Sequence, residues 1–546
     1  MAEDRSGTSG LGHRIRAAAD ENFDASDSAA SPAIPPELNS SDPDPEAAIR
    51  LSELAAALGH RYHGADVDVT GIAVDSRQVR PGDLFVAQRG EQTDGLRFVP
   101  EARGRGAVAA CSAAPLPDFP TIIATDPRGA VPHLAATLYG HPASRLRLVG
   151  ITGTLGKTST ALLVQSALAA SGVRVGVIGS LGVRHRGQVA DTGMTTPDAP
   201  SIHRALREMV DAGVSTAVME VTSHGIALKR VAGLTFALGA LTNLVPDEHL
   251  DFHGTPEHYL RTKARFFDML GPGAPMVVSR DDAHVRNLVA AAGLARVRPV
   301  IEVSAEGDPE AEVAVSGLRC DAAGSVFALE IRRPLPRADG TELAPTAIPL
   351  VLPVLGVHQV ANAALAAVVA LLAGGVPAGV TESVAELAPI RRRMEVVRQA
   401  SPTILDDTVG NPRSVDSVFA TIRSIPHRSL RIAFGIRGAR GPAINRRLAA
   451  ALARAVRSAQ SPVQLVVTAS DDSAGARDRV RDEEREAAVS VLREEGVGFS
   501  YEPDLEAAVR RALEGSGEGD LVLLLGAQGM DGAADIARAL LASMSP

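Results

Sequence analysis

Residues 150–160 read GITGTLGKTST and bring together the residue types that grip a phosphate. Backbone N–H groups at the start of a helix point at an anion, and glycines let the chain come close to it. Gly153 and Gly156 supply the close approach, Lys157 an ammonium for the outer phosphates, and Thr158 a hydroxyl for Mg²⁺. The common loop reads Gly, four residues, then Gly-Lys-Ser/Thr. Here Ile151 stands where that first Gly belongs, so the spacing departs from the usual pattern. The alternative is a Gly-rich turn with an incidental lysine. The apolar strand LRLVG before the loop and the long helical stretch after it argue for the phosphate loop.

The surrounding pattern predicts the frame that holds the loop. LRLVGITGTLGKTSTALLVQSALAASG reads as strand, turn and helix, and VRVGVIG as the next strand. STAVMEV, FALGALTNL and APMVVS are further apolar runs separated by helical stretches, which predicts a mainly parallel α/β sheet. Upstream, LSELAAAL reads as a short helix; DLFVA, AVAAC and TIIAT read as short strands, and RGAVPHLAATLYG as a helix. After Pro389, PTILDD, LRIAFGI, VQLVVTAS and DLVLLLGA alternate with helical stretches. They predict a dinucleotide-fold-like sheet without its signature glycines, a pattern that says nothing of cofactor. The predicted division is a disordered leader over 1–45, rich in Ser, Asp, Pro and Ala, then domains over 46–145, 146–388 and 389–546.

Composition bounds the function. A net charge of -9 argues against a nucleic-acid partner. Two cysteines far apart, Cys111 and Cys320, make neither a disulfide framework nor a zinc set, and the opening MAEDRSGTSG has no apolar signal core. A cytoplasmic monomer is expected. Residues 350–380 carry no Asp, Glu, Lys or Arg, which imitates a membrane span. Pro353, Gly356, His358, Gln359, Asn362 and Gly374-Gly375 interrupt the run, so it reads as a buried Ala-rich helix with loops and no membrane partner.

The loop spacing G-x-T-G-T-x-G-K-T resembles that of the Mur ligases, the ATP-dependent amide ligases of peptidoglycan precursor synthesis. DSRQVRPGDLFVAQRGEQTDG, MTTPDAP, MEVTSHG, LTNL, HLDFHGT and YLRTKARFF follow in the family's order. The likeness covers nearly everything after residue 46 and is greatest to the branch that adds a diamino acid to UDP-MurNAc-L-Ala-D-Glu. It implies a UDP-binding N-terminal α/β domain, a central phosphate-loop ATPase domain and a Rossmann-like C-terminal α/β domain. It also implies two steps: a substrate carboxylate attacks the ATP γ-phosphate, and an amine then displaces phosphate from the acyl phosphate. ATP and Mg²⁺ are the implied cofactors. A UDP-sugar peptide, or a related carboxylate, and an amino acid are the implied partners.

Residue by residue, the resemblance implies catalytic roles for Lys157, Glu220, His249 and Lys263. Thr158, Glu220, His249 and Lys263, the last as a carbamate, are the implied metal ligands. ATP falls to Thr152, Gly153, Thr154, Gly156, Lys157, Thr158, Ser159, Asn243 and Asn362, joined from the C-terminal domain by Arg393 and Asp406, with Asp407 as the alternative. Ser76 and Gln92 match uridine-side contacts; Thr195, Thr196, Ser223 and Arg230 match groups around the pyrophosphate and sugar-peptide, and Arg440 an arginine of the acceptor domain. Read without the resemblance, Glu220 is a strand-end carboxylate, Lys263 a solvated helix lysine, Asn362 a cap or buried amide, and Arg230 a surface charge.

The departures lie mostly on the acceptor side. Leu155 replaces the Asn usual in the loop, and Leu228 the Gln that precedes the arginine matched by Arg230. The diaminopimelate signature Asp-Asn-Pro-Arg is replaced by Ser470, Asp471, Asp472 and Ser473, and a Gly-Lys-Gly-His-Glu motif by the stretch LGAQGMDG. The segment VPDEHLDFHG is one residue longer than the family's, which bears on His249. The sequence thus predicts an intact ATP half and a rewritten selectivity half.

Overall fold

The computed structural model describes residues 48–544 except 89–93, 322–323, 388–390, 400, 424 and 476–477. The expected leader, Gln92 and the expected boundary at 388/389 lie outside the described residues. What is described forms three α/β domains. The first has a five-stranded sheet in the order Arg61–His63, Thr121–Ile123, Ala109–Ser112, Asp83–Val86, Gly71–Ala73. Only its first strand runs antiparallel. Helix Pro127–Leu138 packs Val131, Leu134 and Ala135 against Leu84 and Ile122 of this sheet.

The middle domain is built on β1 (Arg147–Thr152), α1 (Lys157–Ala170), β2 (Val175–Gly179), β3 (Thr216–Glu220), β4 (Leu238–Leu241), α2 (Pro256–Ala264), β5 (Met276–Ser279), β6 (Val300–Ser304) and α3 (Val357–Leu372). The strands lie in the order β2-β3-β1-β4-β5-β6, all parallel. An antiparallel hairpin, Gly182–His185 with Gln188–Ala190, extends the β2 edge. At the other edge Val313–Asp321 pairs parallel with β6 and continues antiparallel through Gly324–Ile331 and Thr346–Leu352. The inner strands are apolar almost without interruption because helices cover both faces. On one face α1 and α3 share a core, with Leu163, Val164 and Leu168 against Val360, Leu365 and Val368.

Helix α3 is the charge-free stretch of the sequence, buried nearly all round. Its alanines let it lie close to α1. No described helix is long and apolar enough to cross a membrane. The opposite face of the sheet is filled by Phe236, Phe266, Leu270 and Met276.

The C-terminal domain has six strands in the order Glu395–Arg398, Thr403–Thr408, Asp520–Gly526, Ser429–Gly435, Val463–Thr468, Ser500–Glu502, the first antiparallel and the rest parallel. It is fastened to the middle domain by Arg413, which reaches Asp282 Oδ2 at 2.7 Å and Leu244 O at 3.2 Å. Arg447 adds an ion pair to Asp247 at 3.5 Å. The first domain meets the middle one where Lys229 Nζ lies 2.6 Å from Asp126 Oδ2.

Parallel strands end on the same side, so the loops after β1, β3 and β4 meet at one edge. That edge holds the phosphate loop. Strand β1 carries it, and Gly150 within β1 is needed for packing: an added Cβ would lie 2.6 Å from Phe266 Cζ and 2.9 Å from Phe236 Cδ1. Replacing Gly150 by Ala should therefore destabilise the middle domain by about 1–3 kcal/mol through overpacking. A lowered calorimetric melting temperature would show it; an unchanged one would mean that the two rings yield freely.

Candidate active site

Strand β1 runs straight into the loop, and Ile151 is part of the strand, fully buried and in register with Glu220 of β3. The loop therefore begins only at Gly153. This residue has φ 140°, and a Cβ there would lie 2.0 Å from Thr242 Oγ1. Gly156 has φ 80°, and its Cβ would lie 2.2 Å from Asn362 Oδ1. Both positions demand glycine for room as well as for backbone conformation.

Two amides shape the turn between them. Asn243 Oδ1 accepts from Leu155 N at 2.9 Å, and Asn243 Nδ2 donates to Leu155 O at 3.0 Å. Asn362, buried on α3, stands against Gly156 and donates to Gln359 Oε1 at 3.3 Å. Thr242 Oγ1 donates to Leu155 O at 2.6 Å, and Thr154 Oγ1 bonds the Tyr259 hydroxyl at 2.7 Å. Leu155 thus contributes its backbone to the loop, whatever its side chain.

Lys157 opens α1, and its Nζ donates to the carbonyls of Gly153 at 3.0 Å and Thr154 at 2.9 Å. Burial pulls its ammonium below the ordinary value; the carboxylates of Glu220 and Glu248 oppose this, and Arg393 adds to it. Arg393, from the C-terminal domain, is therefore within electrostatic reach of the loop. Thr158 Oγ1 donates to Glu220 Oε2 at 3.0 Å. Glu220 closes β3, almost wholly buried, and its other oxygen accepts from Ser180 N at 2.8 Å. Gly179 makes this possible, since a Cβ there would lie 2.2 Å from Glu220 Oε1. Ser180 Oγ also lies 3.3 Å from Glu220 Oε2 and 2.9 Å from Thr195 Oγ1. Ser159, one turn into the loop helix, is buried.

Lys263 of α2 reaches the same loop. Its Nζ donates to Gly153 O at 2.6 Å and lies 3.4 Å from Thr152 Oγ1. Burial, reinforced by the charge of Lys157, holds this amine well below its ordinary value. His249 precedes the short helix Leu250–His253 with φ 56°, and its ring lies 4.9 Å from that of His224, edge to face. Burial first, then His224 and the cations Lys157, Lys263 and Arg437, push His249 down to about 3. Its neutral ring keeps a lone pair for a metal.

Glu248 beside it is buried too. Burial raises its carboxyl, against the pull of Arg437, an Asn411 hydrogen bond, Arg447 and Lys157. The segment before His249 thus meets the C-terminal domain.

The remaining predicted residues divide. Thr195 faces the cleft beside Ser180. Thr196 is a brace: its hydroxyl donates to Glu220 O at 2.9 Å and accepts from Thr222 N at 3.1 Å, while Arg230 Nη1 donates to Thr196 O at 2.8 Å. Ser223 is buried at the start of the short helix Ser223–Ala227. Ser76, in the first domain, donates to Glu101 Oε2 at 2.8 Å. Arg440 lies in the C-terminal domain, with its N–H held by Glu484 at 2.9 Å. Asp406 points into that domain, 3.5 Å from Arg392 Nε, and burial lifts it to about 6. Its neighbour Asp407 accepts from Met394 N at 2.8 Å and is lifted by burial to about 7, with Arg393 opposing. Of the two acids it is Asp407 that shares a side with Arg393.

Ser180, Tyr259 and Glu248 were not singled out in the sequence. Tyr259 sat inside a quoted motif, but nothing local marks Ser180.

Hard oxygen donors meet at Thr158 and Glu220, a pair suited to Mg²⁺ that keeps waters and phosphate oxygens as its other ligands. Among the described residues no three His, Cys, Asp or Glu side chains stand close enough to hold a metal by themselves. Glu220 and His249 are therefore not a ready-made cage.

Comparison with known proteins agrees with this architecture. Three family models match the chain in order: Mur ligase family, catalytic domain over 68–126; Mur ligase middle domain over 151–370; and Mur ligase, glutamate ligase domain over 392–528. A UDP-N-acetylmuramyl-tripeptide synthetase of Roseiflexus sp. is 35% identical over 506 residues, 88% of this chain and 94% of that protein. The chain belongs to the Mur ligase family. A UDP-N-acetylmuramoyl-L-alanyl-D-glutamate--2,6-diaminopimelate ligase of Streptomyces avermitilis is 36% identical over 74% of this chain and 78% of its own length. Among solved structures, a MurF from Acinetobacter baumannii superposes with a TM-score of 0.66 at 17% identity, covering 91% of this chain and 99% of that one. A Thermotoga maritima MurF in complex with ADP gives 0.62 at 18% identity, covering 87% and 98%. Both share the fold of this Mur ligase.

Asn243 tests how this Mur ligase shapes its loop. Asn243→Ala leaves the Leu155 N–H and C=O without their partner, a loss of about 1–3 kcal/mol. Calorimetric affinity for ADP should fall about tenfold or more. An unchanged affinity would mean that the loop holds its shape without the amide.

Proposed function

We propose that this Mur ligase is an ATP- and Mg²⁺-dependent ligase that joins the carboxylate of a UDP-linked sugar peptide to the amine of an amino acid. The observation that carries the reading is the Thr158–Glu220 pair beside Lys157, on a loop whose Gly153 and Gly156 have room for no side chain. Thr158 and Glu220 would hold Mg²⁺, which neutralises charge as a carboxylate meets the γ-phosphate. Lys157 lets go of the Gly153 and Thr154 carbonyls and turns to the β- and γ-phosphates. Arg393 brings a further cation from the C-terminal domain, so closure of that domain completes the site. His249 enters as a neutral imidazole. Thr195 and Ser180 stand beside Glu220 as polar groups for the substrate. Two free cysteines, Cys111 buried and Cys320 exposed, suit a reducing cytoplasm. A monomer is the simplest state for such an enzyme.

The expected result is release of inorganic phosphate only when carboxylate and amine are both present, with a product of the summed mass less water. Release from ATP alone would overturn the reading. Lys157→Ala should lower turnover by at least about a hundredfold, since the lost ammonium faces the charge that builds up in the reaction.

Lys263 is the residue that we assign to a carbamate. CO₂ adds to a neutral amine, and burial beside Lys157 keeps this one neutral at pH values where an exposed lysine is charged. The product is an anion that can help hold a metal near His249. Turnover should fall in CO₂-depleted buffer and return with bicarbonate, and Lys263→Gln should lose both the activity and the response. A bicarbonate-independent wild-type rate would refute the carbamate.

For the incoming amine, the proposal is an amino acid other than diaminopimelate. Where the resemblance expects Asp-Asn-Pro-Arg, Asp472 instead accepts from Leu505 N at 2.7 Å and Ser473 Oγ donates to Gly529 O at 3.2 Å. A free carboxylate loses its bidentate partner there. Product masses from a panel of amino acids, with UDP-MurNAc-L-Ala-D-Glu as the carboxylate substrate, decide the point; a diaminopimelate adduct as the main product would sink it.

A further inference from the structure

Helix α2 has two working faces. Tyr259 and Lys263 point at the phosphate loop. On the other side His258, Arg261 and Arg265 line a separate open cleft of about 600 Å³, bordered by Ala292, Leu294, Val297 and Arg298. That volume suits a small organic ligand. Arg298 supplies a third guanidinium, with Asp268 as the one carboxylate in the lining.

Several arginines of this protein are held by carboxylates. Arg280 alone contacts Glu302, Asp308 and Glu310. In the cleft, by contrast, neither the Arg261 nor the Arg265 side chain has a hydrogen bond or ion pair among the described residues. Arg298 gives only long bonds to the Gly271 and Ala274 carbonyls, at 3.3 and 3.4 Å, and its buried Nε has no partner. Two exposed guanidiniums and the half-buried one of Arg298, against the single carboxylate of Asp268, give this lining an excess of positive charge that favours an anion. The facing wall is apolar: Phe267, Leu294 and a largely exposed Val297.

We propose that this cleft is a regulatory site for an organic phosphate, with the phosphate on Arg261, Arg265 and Arg298 and an apolar body against Phe267 and Val297. Occupancy is felt at the ATP loop because α2 is shared. Tyr259 bonds Thr154, Lys263 bonds Gly153, and the ring of His258 continues through His253 and His224 to His249 at centroid spacings of 5.3, 5.7 and 4.9 Å.

Phenyl phosphate, which carries both features, is the probe. It is titrated calorimetrically into the full chain saturated with Mg²⁺ and a non-hydrolysable ATP analogue, with inorganic phosphate in parallel. Saturable binding is expected, tighter for phenyl phosphate than for phosphate. In R261A/R265A it should weaken about tenfold or more, while the melting temperature and the analogue's own affinity match the parent. Phenyl phosphate should also shift the analogue's affinity in the parent and not in the variant. No saturable binding, equal binding by parent and variant, or binding that leaves the analogue's affinity unmoved each overturns the proposal. None of these readouts depends on ligase turnover, so the outcome is separate from that of the function proposed above.

Discussion

Two lysines converge on one carbonyl oxygen. Lys157 and Lys263 both donate to Gly153 O, at 3.0 and 2.6 Å, in a region screened from water. Two full positive charges cannot share such a place cheaply, because Coulomb repulsion is strong where solvent is excluded. The surroundings weigh on the two amines unequally. Lys157 has Glu220 and Glu248 to balance it, whereas burial and Lys157 itself both act against Lys263. The two amines are thereby unequal, which is the basis of the different roles proposed for them.

Everything around that oxygen serves to keep it in place. The parallel sheet brings the ends of β1, β3 and β4 to one edge, and each delivers one part. From β1 comes the loop, from β3 the Glu220 carboxylate, and from β4 the Thr242–Asn243 pair that clamps Leu155. The two long helices α1 and α3 approach closely because α3 is built of alanines, and this sets Asn362 against Gly156. The odd spacing of the loop has the same origin. Ile151 is core, committed to β1, so the turn is confined to the residues after it and its shape is imposed by neighbouring amides more than by an additional glycine.

The alternation of strands and helices, the phosphate loop and the charge-free helix could be read directly, because apolar periodicity and glycine placement are local signals. The antiparallel flanks of the central sheet were less visible, since a strand's direction depends on its partner. Residue roles followed the same rule. Lys157, Thr158 and Glu220 stand at strand or helix ends that periodicity locates. Ser180 had no signal, because it acts through a backbone N–H delivered by a turn that only the folded chain creates. Asp406 and Asp407 are adjacent and chemically alike, and alternation along the strand sends one to Arg392 and the other towards Arg393. Asn243 and Asn362, expected at the nucleotide, both stand at the loop: Asn243 bonds Leu155, and Asn362 lies against Gly156.

The stretch Ser470–Ser473, proposed above to bear on the incoming amine, is anchored within its own domain. Asp472 caps the helix Leu505–Leu513, and Ser473 ties to the turn at Gly529, so neither leans on the central sheet. Mutations there can drift without disturbing the machinery that spends ATP. Such insulation lets evolution reassign what is joined while leaving intact how the joining is powered.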